Sequence, residues 1–194
     1  MDSHLVESKL KSQELFRGSF LHAFRDTVAL PDGTQASREY VIHPGAVMIV
    51  PLLEVSGQPL QLVMERQFRY PVQQVMLEFP AGKLDPNEST LECAQRELFE
   101  ETGYSAKQWA KAGVMHPVIS YSTEFIEIWF AKDLSLGERQ LDPGEFLEVI
   151  TQTPEALKQA CLKGEVTDGK TLTGMFWLQN YLSGQHDLTW VNAA

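Results

Sequence analysis

A chain of 194 residues, 43% hydrophobic and 22% charged, is long enough for one domain with a full core plus a small appended element, and its composition is that of a soluble globular protein. The net charge of -10, from 16 Lys and Arg against 26 Asp and Glu, excludes the basic footprint that nucleic-acid phosphates require; a small phosphorylated ligand stays compatible if bound cations reverse the local sign. Met1-Asp2-Ser3-His4 opens no signal peptide, and the longest apolar run, Ala46 to Leu53, is too short to cross a bilayer, so the expectation is a cytoplasmic protein without a membrane partner.

Residues 1–18 are polar and mixed and predict no firm element. From Ser19 to Leu30, Phe20, Leu21, Phe24, Val28 and Leu30 predict one or two short strands; Pro31-Asp32-Gly33 is a turn signal, and Ser37 to His43 reads as another strand. These make a small antiparallel sheet within residues 1–44, too thin to stand alone. His43-Pro44-Gly45 marks the start of the main domain, residues 45–194. It opens with a buried strand from Ala46 to Val55, in which Pro51 suggests an edge or bulge, followed by a turn and a strand from Leu60 to Gln67. A short strand, Met76 to Phe79, leads into Pro80-Ala81-Gly82.

A helix follows. Ser89 with Glu92 forms a capping box, and Gly103 stands where a left-handed cap is wanted, so the helix spans Thr90 to Thr102. Leu91, Ala94 and Leu98 form a core-facing stripe, while Glu97, Glu100 and Glu101 crowd another. Three like charges so close are unfavourable unless something neutralises them. A hard divalent cation that prefers oxygen suits that need, Mg²⁺ above all and Mn²⁺ as an alternative. Arg96 reaches Glu100 at i+4 and can hold that carboxylate in place. The competing reading is a solvated acidic face.

Trp109 to Met115, Phe125 to Ala131 and Phe146 to Thr151 read as further strands, with Ser135 to Gly144 a polar loop. A helix starts at Thr153-Pro154-Glu155 and runs to about Lys163; a last one spans Lys170 to Leu182, with Leu172, Met175, Phe176 and Leu182 inward. Cys93 and Cys161 have no metal or redox spacing and read as buried or partly buried thiols. The pattern is a mixed α/β sandwich with a small N-terminal antiparallel sheet. Gly164 to Thr171, GEVTDGKT, satisfies the letter of a phosphate-binding loop. That mechanism needs a strand before the loop, whereas the preceding segment is helical, so the stretch reads as a helix-to-helix link with Thr167 or Asp168 as N-cap.

Gly82, Glu88, Arg96, Glu97, Glu100, Glu101 and Gly103 fit the spacing G-x5-E-x7-R-E-U-x-E-E-x-G-U, with Leu98 and Tyr104 at the apolar positions. At about 6% background usage for each fixed identity, chance agreement is on the order of 10⁻⁹ per starting position, which decides against coincidence. The stretch resembles the Nudix hydrolase family. Gln67-Phe68-Arg69 and Glu78-Phe79-Pro80-Ala81-Gly82 resemble its branch of ADP-ribose and nucleoside diphosphate sugar pyrophosphatases.

The resemblance implies an α/β/α sandwich and an enzyme that hydrolyses ADP-ribose or a related nucleotide sugar to a nucleoside monophosphate and a sugar phosphate. It implies metal held by Glu97, Glu100, Glu101 and the Ala81 carbonyl, with Arg96 and Glu100 supporting catalysis. It places Arg69 on phosphate and Glu78 near substrate, with Arg38 and Glu39 toward the nucleoside. A loop glutamate activates water; Glu145 is the first choice and Glu148 the competitor. Enzymes of this branch are homodimers whose N-terminal sheets pack on the partner. Pro117 lies nearer the box than the proline common in bacterial ADP-ribose enzymes, so the sugar stays open. GDP-mannose, a nucleoside triphosphate, or a non-catalytic nucleotide sensor are the alternatives.

Overall fold

A computed structural model of the chain describes residues 2–141 and 143–193. Asp142, at the head of the predicted water-activating loop, lies outside them. The chain divides into two compact units, Met1–Gly45 with His116–Glu124, and Ala46–Met115 with Phe125–Ala194.

The first unit is an antiparallel sheet of β1 (Ser8–Arg17), β2 (His22–Ala29) and β3 (Gln35–Val41), in that order. β1 lies where the sequence predicts no element. All ten of its residues are exposed, so no apolar alternation marks it, and its order comes from pairing with β2. Buried Asp26 accepts hydrogen bonds from Ser12 (2.5 Å) and Tyr40 (3.0 Å), which ties the three strands together. The segment His116–Glu124 joins through Thr123 N–H to the Val41 carbonyl and Val41 N–H to the Tyr121 carbonyl.

The second unit is built on β4 (Ala46–Leu53), β5 (Gln61–Arg69), β6 (Gln74–Glu78), β7 (Ala81–Lys83), β8 (Tyr104–Met115), β9 (Ile126–Leu136), β10 (Leu147–Gln152) and β11 (Val191–Asn192). Strand order is β10-β5-β4-β9-β8-β11, with β4 and β9 parallel and the other pairs antiparallel. Helix α1 (Thr90–Thr102) covers one face, where Cys93, Ala94 and Leu98 pack on Val47 and Ile49. Helices α2 (Pro154–Leu162) and α3 (Gly169–Leu182) cover the other, where Leu157, Met175 and Leu178 pack on Met48, Val50 and Leu62. Each fully buried side chain of this size contributes about 1.5–3 kcal/mol.

β4 and β5 pair only through Leu52↔Leu62 and Leu53↔Gln61 and then splay apart. β6 fills the gap on β5, with Glu78 opposite Glu65, and β7 fills it on β4, with Ala81 opposite Met48. Pro51 falls between these two pairings. The strand it sits in is therefore central rather than an edge, and the missing N–H costs no ladder bond on that side.

α1 has the predicted bounds. Ser89 accepts from the Glu92 N–H while Glu92 accepts from the Ser89 N–H, and Gly103 closes the helix at φ 78°. α3 turns inward a face that shares only Met175 with the one predicted. Thr171, Gly174, Met175 and Leu178 are buried, whereas Leu172, Phe176 and Leu182 are exposed. The small residues let the helix approach the sheet, and the Thr171 hydroxyl accepts the Phe79 N–H at 3.3 Å. Gly164–Thr171 links α2 to α3, with Asp168 capping α3 through the Thr171 N–H at 2.9 Å.

Candidate active site

The candidate site forms where the splayed strands deliver the Ala81-Gly82 backbone beneath α1. Glu97 and Glu101 are one turn apart and both lean on that backbone. Glu101 Oε2 accepts the Ala81 N–H at 3.1 Å, and a Cβ placed on Gly82 would stand 1.8 Å from the Glu97 carboxyl carbon. Only glycine leaves room for the Glu97 side chain there.

Arg96 organises the solvent side of the cluster. Its guanidinium donates to Glu88 (2.8 and 2.9 Å), Glu97 (2.9 Å), Glu100 (3.0 Å) and the Lys83 carbonyl (3.1 Å). The hydrogen bond from Arg96 holds the Glu88 carboxyl down at about 2. The sequence-based pairing of Arg96 with Glu100 is present and extends to two further glutamates.

The buried acids behave oppositely. Burial pushes Glu97 up to about 7 against the pull of Arg96. Burial, then the charges of Glu65 and Glu97, push Glu101 well above the ordinary carboxylate range. Glu65 rises to about 8 through burial and the charge of Glu78. The folded protein thus binds protons at Glu97 that the unfolded chain has already released above about pH 4.5. Stability from this source is intact below that pH and is lost as the pH climbs through about 7 for Glu97 and about 8 for Glu65. Thermal melts in chelator are expected to show a melting temperature that falls from pH 5 to pH 8. Added Mg²⁺ should reverse the trend, since a cation favours the ionised acids; a flat profile in chelator contradicts this electrostatic picture.

Arg69 and Glu78 lie on the β5–β6 pair. Arg69 grips Glu78 with two hydrogen bonds of 2.8 Å each, and Lys170, at the start of α3, pairs with the same carboxylate. Burial favours a neutral Glu78, but the Arg69 hydrogen bonds and the Lys170 charge outweigh it and set its pKa below the usual value. Lys170 is a member of this constellation that sequence reasoning missed; it was hidden inside the phosphate-loop look-alike. Glu65 was missed as well, although a lone acid within the run Leu62 to Phe68 is itself a signal.

Glu145 and Glu148 separate clearly. Glu148 is exposed and pairs with Arg66 across the β10–β5 ladder at 3.4 Å. Glu145, half-buried just before β10, is the one whose charge is felt at Glu65, Glu97 and Glu101. Arg38 and Glu39 belong to the N-terminal unit. There Arg38 pairs with Glu7 (2.5 Å) and Glu39 with Arg25 (2.6 Å).

The residues present fit a divalent cation. The candidate donors are carboxylates and a backbone carbonyl, the oxygen set that hard cations select. Several acids are buried with too little positive charge to balance them. Among the described residues, no three acidic, His or Cys side chains already converge on one point. The reason is visible: Arg96 draws Glu97 and Glu100 toward itself, and the Ala81 N–H holds Glu101. Among the described residues, no helix is long and apolar enough to cross a membrane.

The chain resembles known proteins over most of its length. Residues 42–173 match the model of the NUDIX domain, and residues 7–41 match that of the nucleoside diphosphate sugar hydrolase N-terminal domain. The chain is 34% identical to the ADP-ribose pyrophosphatase of Bacillus subtilis over 177 residues, covering 90% of this chain and 94% of that protein. It is also 34% identical to a methanol dehydrogenase activator of Bacillus methanolicus, covering 89% and 92% of the two chains. A solved structure of an ADP compounds hydrolase superimposes with a TM-score of 0.80 at 24% identity, over 92% of this chain and 95% of that one, which shows the shared fold.

Proposed function

The chain belongs to the Nudix hydrolase family, and on that premise we propose that it is a Mg²⁺-dependent pyrophosphatase cleaving ADP-ribose, or a closely related nucleoside diphosphate sugar, to a nucleoside monophosphate and a sugar phosphate. The observation that carries this reading is the pair Glu97 and Glu101, leaning on the Ala81-Gly82 backbone and buried beyond what nearby cations balance.

Glu97, Glu100, Glu101 and the Ala81 carbonyl would hold the cation. When bound, Mg²⁺ or Mn²⁺ neutralises charge on the diphosphate and makes a water more acidic. Arg96 keeps Glu97 and Glu100 in place by its fork of hydrogen bonds. Arg69 clamps phosphate; Lys170 stays behind so that Glu78 is not left as a bare buried charge when Arg69 exchanges partners. Glu145 accepts the proton of the attacking water as its oxygen bonds to phosphorus and the bridging oxygen departs with the other phosphate.

Residues 1–44 form a dimerisation element, and residues 45–194 the hydrolase domain of a cytoplasmic homodimer. In support, β1 is exposed along its whole length in the single chain, with Leu10, Leu15 and Phe16 among its uncovered side chains.

A substrate panel tests the reaction. ADP-ribose with Mg²⁺ is expected to give AMP and ribose 5-phosphate, faster than GDP-mannose or nucleoside triphosphates. Triphosphates turned over faster than diphosphate sugars overturn the assignment, and binding without turnover makes the protein a sensor. Gly82→Ala tests the geometry. The new methyl meets the movable end of Glu97, so the melting temperature should shift by only a few degrees while kcat/KM falls about tenfold or more. Unchanged kinetics would remove Glu97 from the mechanism.

A further inference from the structure

We propose that Glu65 on β5 is a further oxygen ligand for the divalent cation of this site, acting from outside the acidic helix, either directly or through one water. This rests on the metal-dependent reading above.

Glu65 is fully buried, and neither of its carboxylate oxygens has a hydrogen-bond partner. Buried polar groups nearly always have partners, because the hydration they lose must be replaced. Strand alternation fixes where Glu65 points. Leu62 and Met64 enter the core beneath α2 and α3, so Val63, Glu65 and Gln67 lie on the opposite face, the face that α1 covers. Register then sets Glu65 directly opposite Glu78.

The two cations nearby do not answer it. Arg69 and Lys170 are both engaged on Glu78. Gln67, two residues along the same face, also has a buried side-chain oxygen without a partner. On the α1 side the neighbour is Glu101, for which Glu65 is the strongest of the surrounding charges. Glu65 and Glu101 present only acceptor oxygens when ionised, and Gln67 adds a side-chain oxygen without a partner. Unpartnered oxygens gathered in a buried place, beside the acids already assigned to the cation, are what a hard divalent ion takes up. A sugar hydroxyl would satisfy one oxygen and leave the charge uncompensated.

Mn²⁺ alone, without nucleotide, is the probe. Calorimetry and electron paramagnetic resonance on chelator-stripped Glu65→Gln and Glu65→Leu proteins are expected to show Mn²⁺ affinity weakened about tenfold or more, or one ion fewer than wild type. The metal-free melting temperature of Glu65→Leu should be equal to or above wild type, since a buried acid without hydrogen-bond partners has been removed. Wild-type affinity and stoichiometry in both variants overturn the proposal. If neither variant folds, the anomalous map of wild-type crystals soaked in Mn²⁺ decides: an ion reached by a Glu65 oxygen, directly or through one water, supports it, and an ion with Glu65 uninvolved overturns it. Wild-type protein that binds no Mn²⁺ at all fails the metal-dependent reading itself, whereas indifferent variants beside a binding wild type fail this proposal alone.

Discussion

Glu101→Gln is expected to remove activity, with kcat/KM falling by roughly three decades or more. Glu101 is 4% exposed, and its carboxylate is held by the Ala81 N–H while facing the charges of Glu65 and Glu97. Glutamine keeps the size and can still accept that N–H. What it lacks is the charge, and its amide sets donors where a cation needs an oxygen. Three decades correspond to about 4 kcal/mol of transition-state stabilisation, a reasonable share for metal positioning. The substitution also relieves repulsion, so the metal-free variant should melt at or above the wild-type temperature. Steady-state kinetics, Mg²⁺ titration and melting curves on one preparation therefore separate lost metal from lost fold. Near wild-type kinetics at limiting Mg²⁺ would contradict the role.

Glu145→Gln should lower kcat by roughly two decades or more while substrate affinity changes only a few-fold, the signature of a lost proton acceptor. Glu148→Gln is the control. Glu148 is exposed and spends its charge on Arg66, so its loss should change kcat by less than about three-fold. The structure separates two acids only three positions apart because β10 begins between them: Glu148 lies inside the ladder with β5, and Glu145 lies in the loop ahead of it. Pre-steady-state rates with bound substrate measure the difference. A large loss in Glu148→Gln with a normal Glu145→Gln would transfer the proton to the other residue.

How much of this was legible beforehand follows the physics of each signal. α1 was readable to the residue because its caps are written in side chains, Ser89 and Glu92 at one end and Gly103 at the other. The acidic stripe was readable because helical spacing is regular. β7 and β11 were not predicted: three and two residues long, they are defined by their partners rather than by any pattern of their own. β1 escaped for the same reason over ten residues. On α3, apolar size points to the correct inward position only at Met175, because Thr171 and Gly174 are what let the helix close on the sheet. Lys170 is visible only through tertiary pairing; Glu65 carries a sequence signal as a lone acid in an apolar run, but its place beside the site depends on where α1 lands. Arg69 is expected on phosphate from the sequence, and the structure shows its guanidinium paired with Glu78.

The central claim is that cations seated among the acids of α1 engage a diphosphate. A crystal of the protein grown with Mn²⁺ and a non-hydrolysable ADP-ribose analogue tests it most directly. Anomalous peaks between the two phosphates and the carboxylates of Glu97 and Glu101 are predicted, with Arg69 turned onto phosphate. A diphosphate bound away from α1, or peaks that leave Glu97 and Glu101 untouched, would contradict the account.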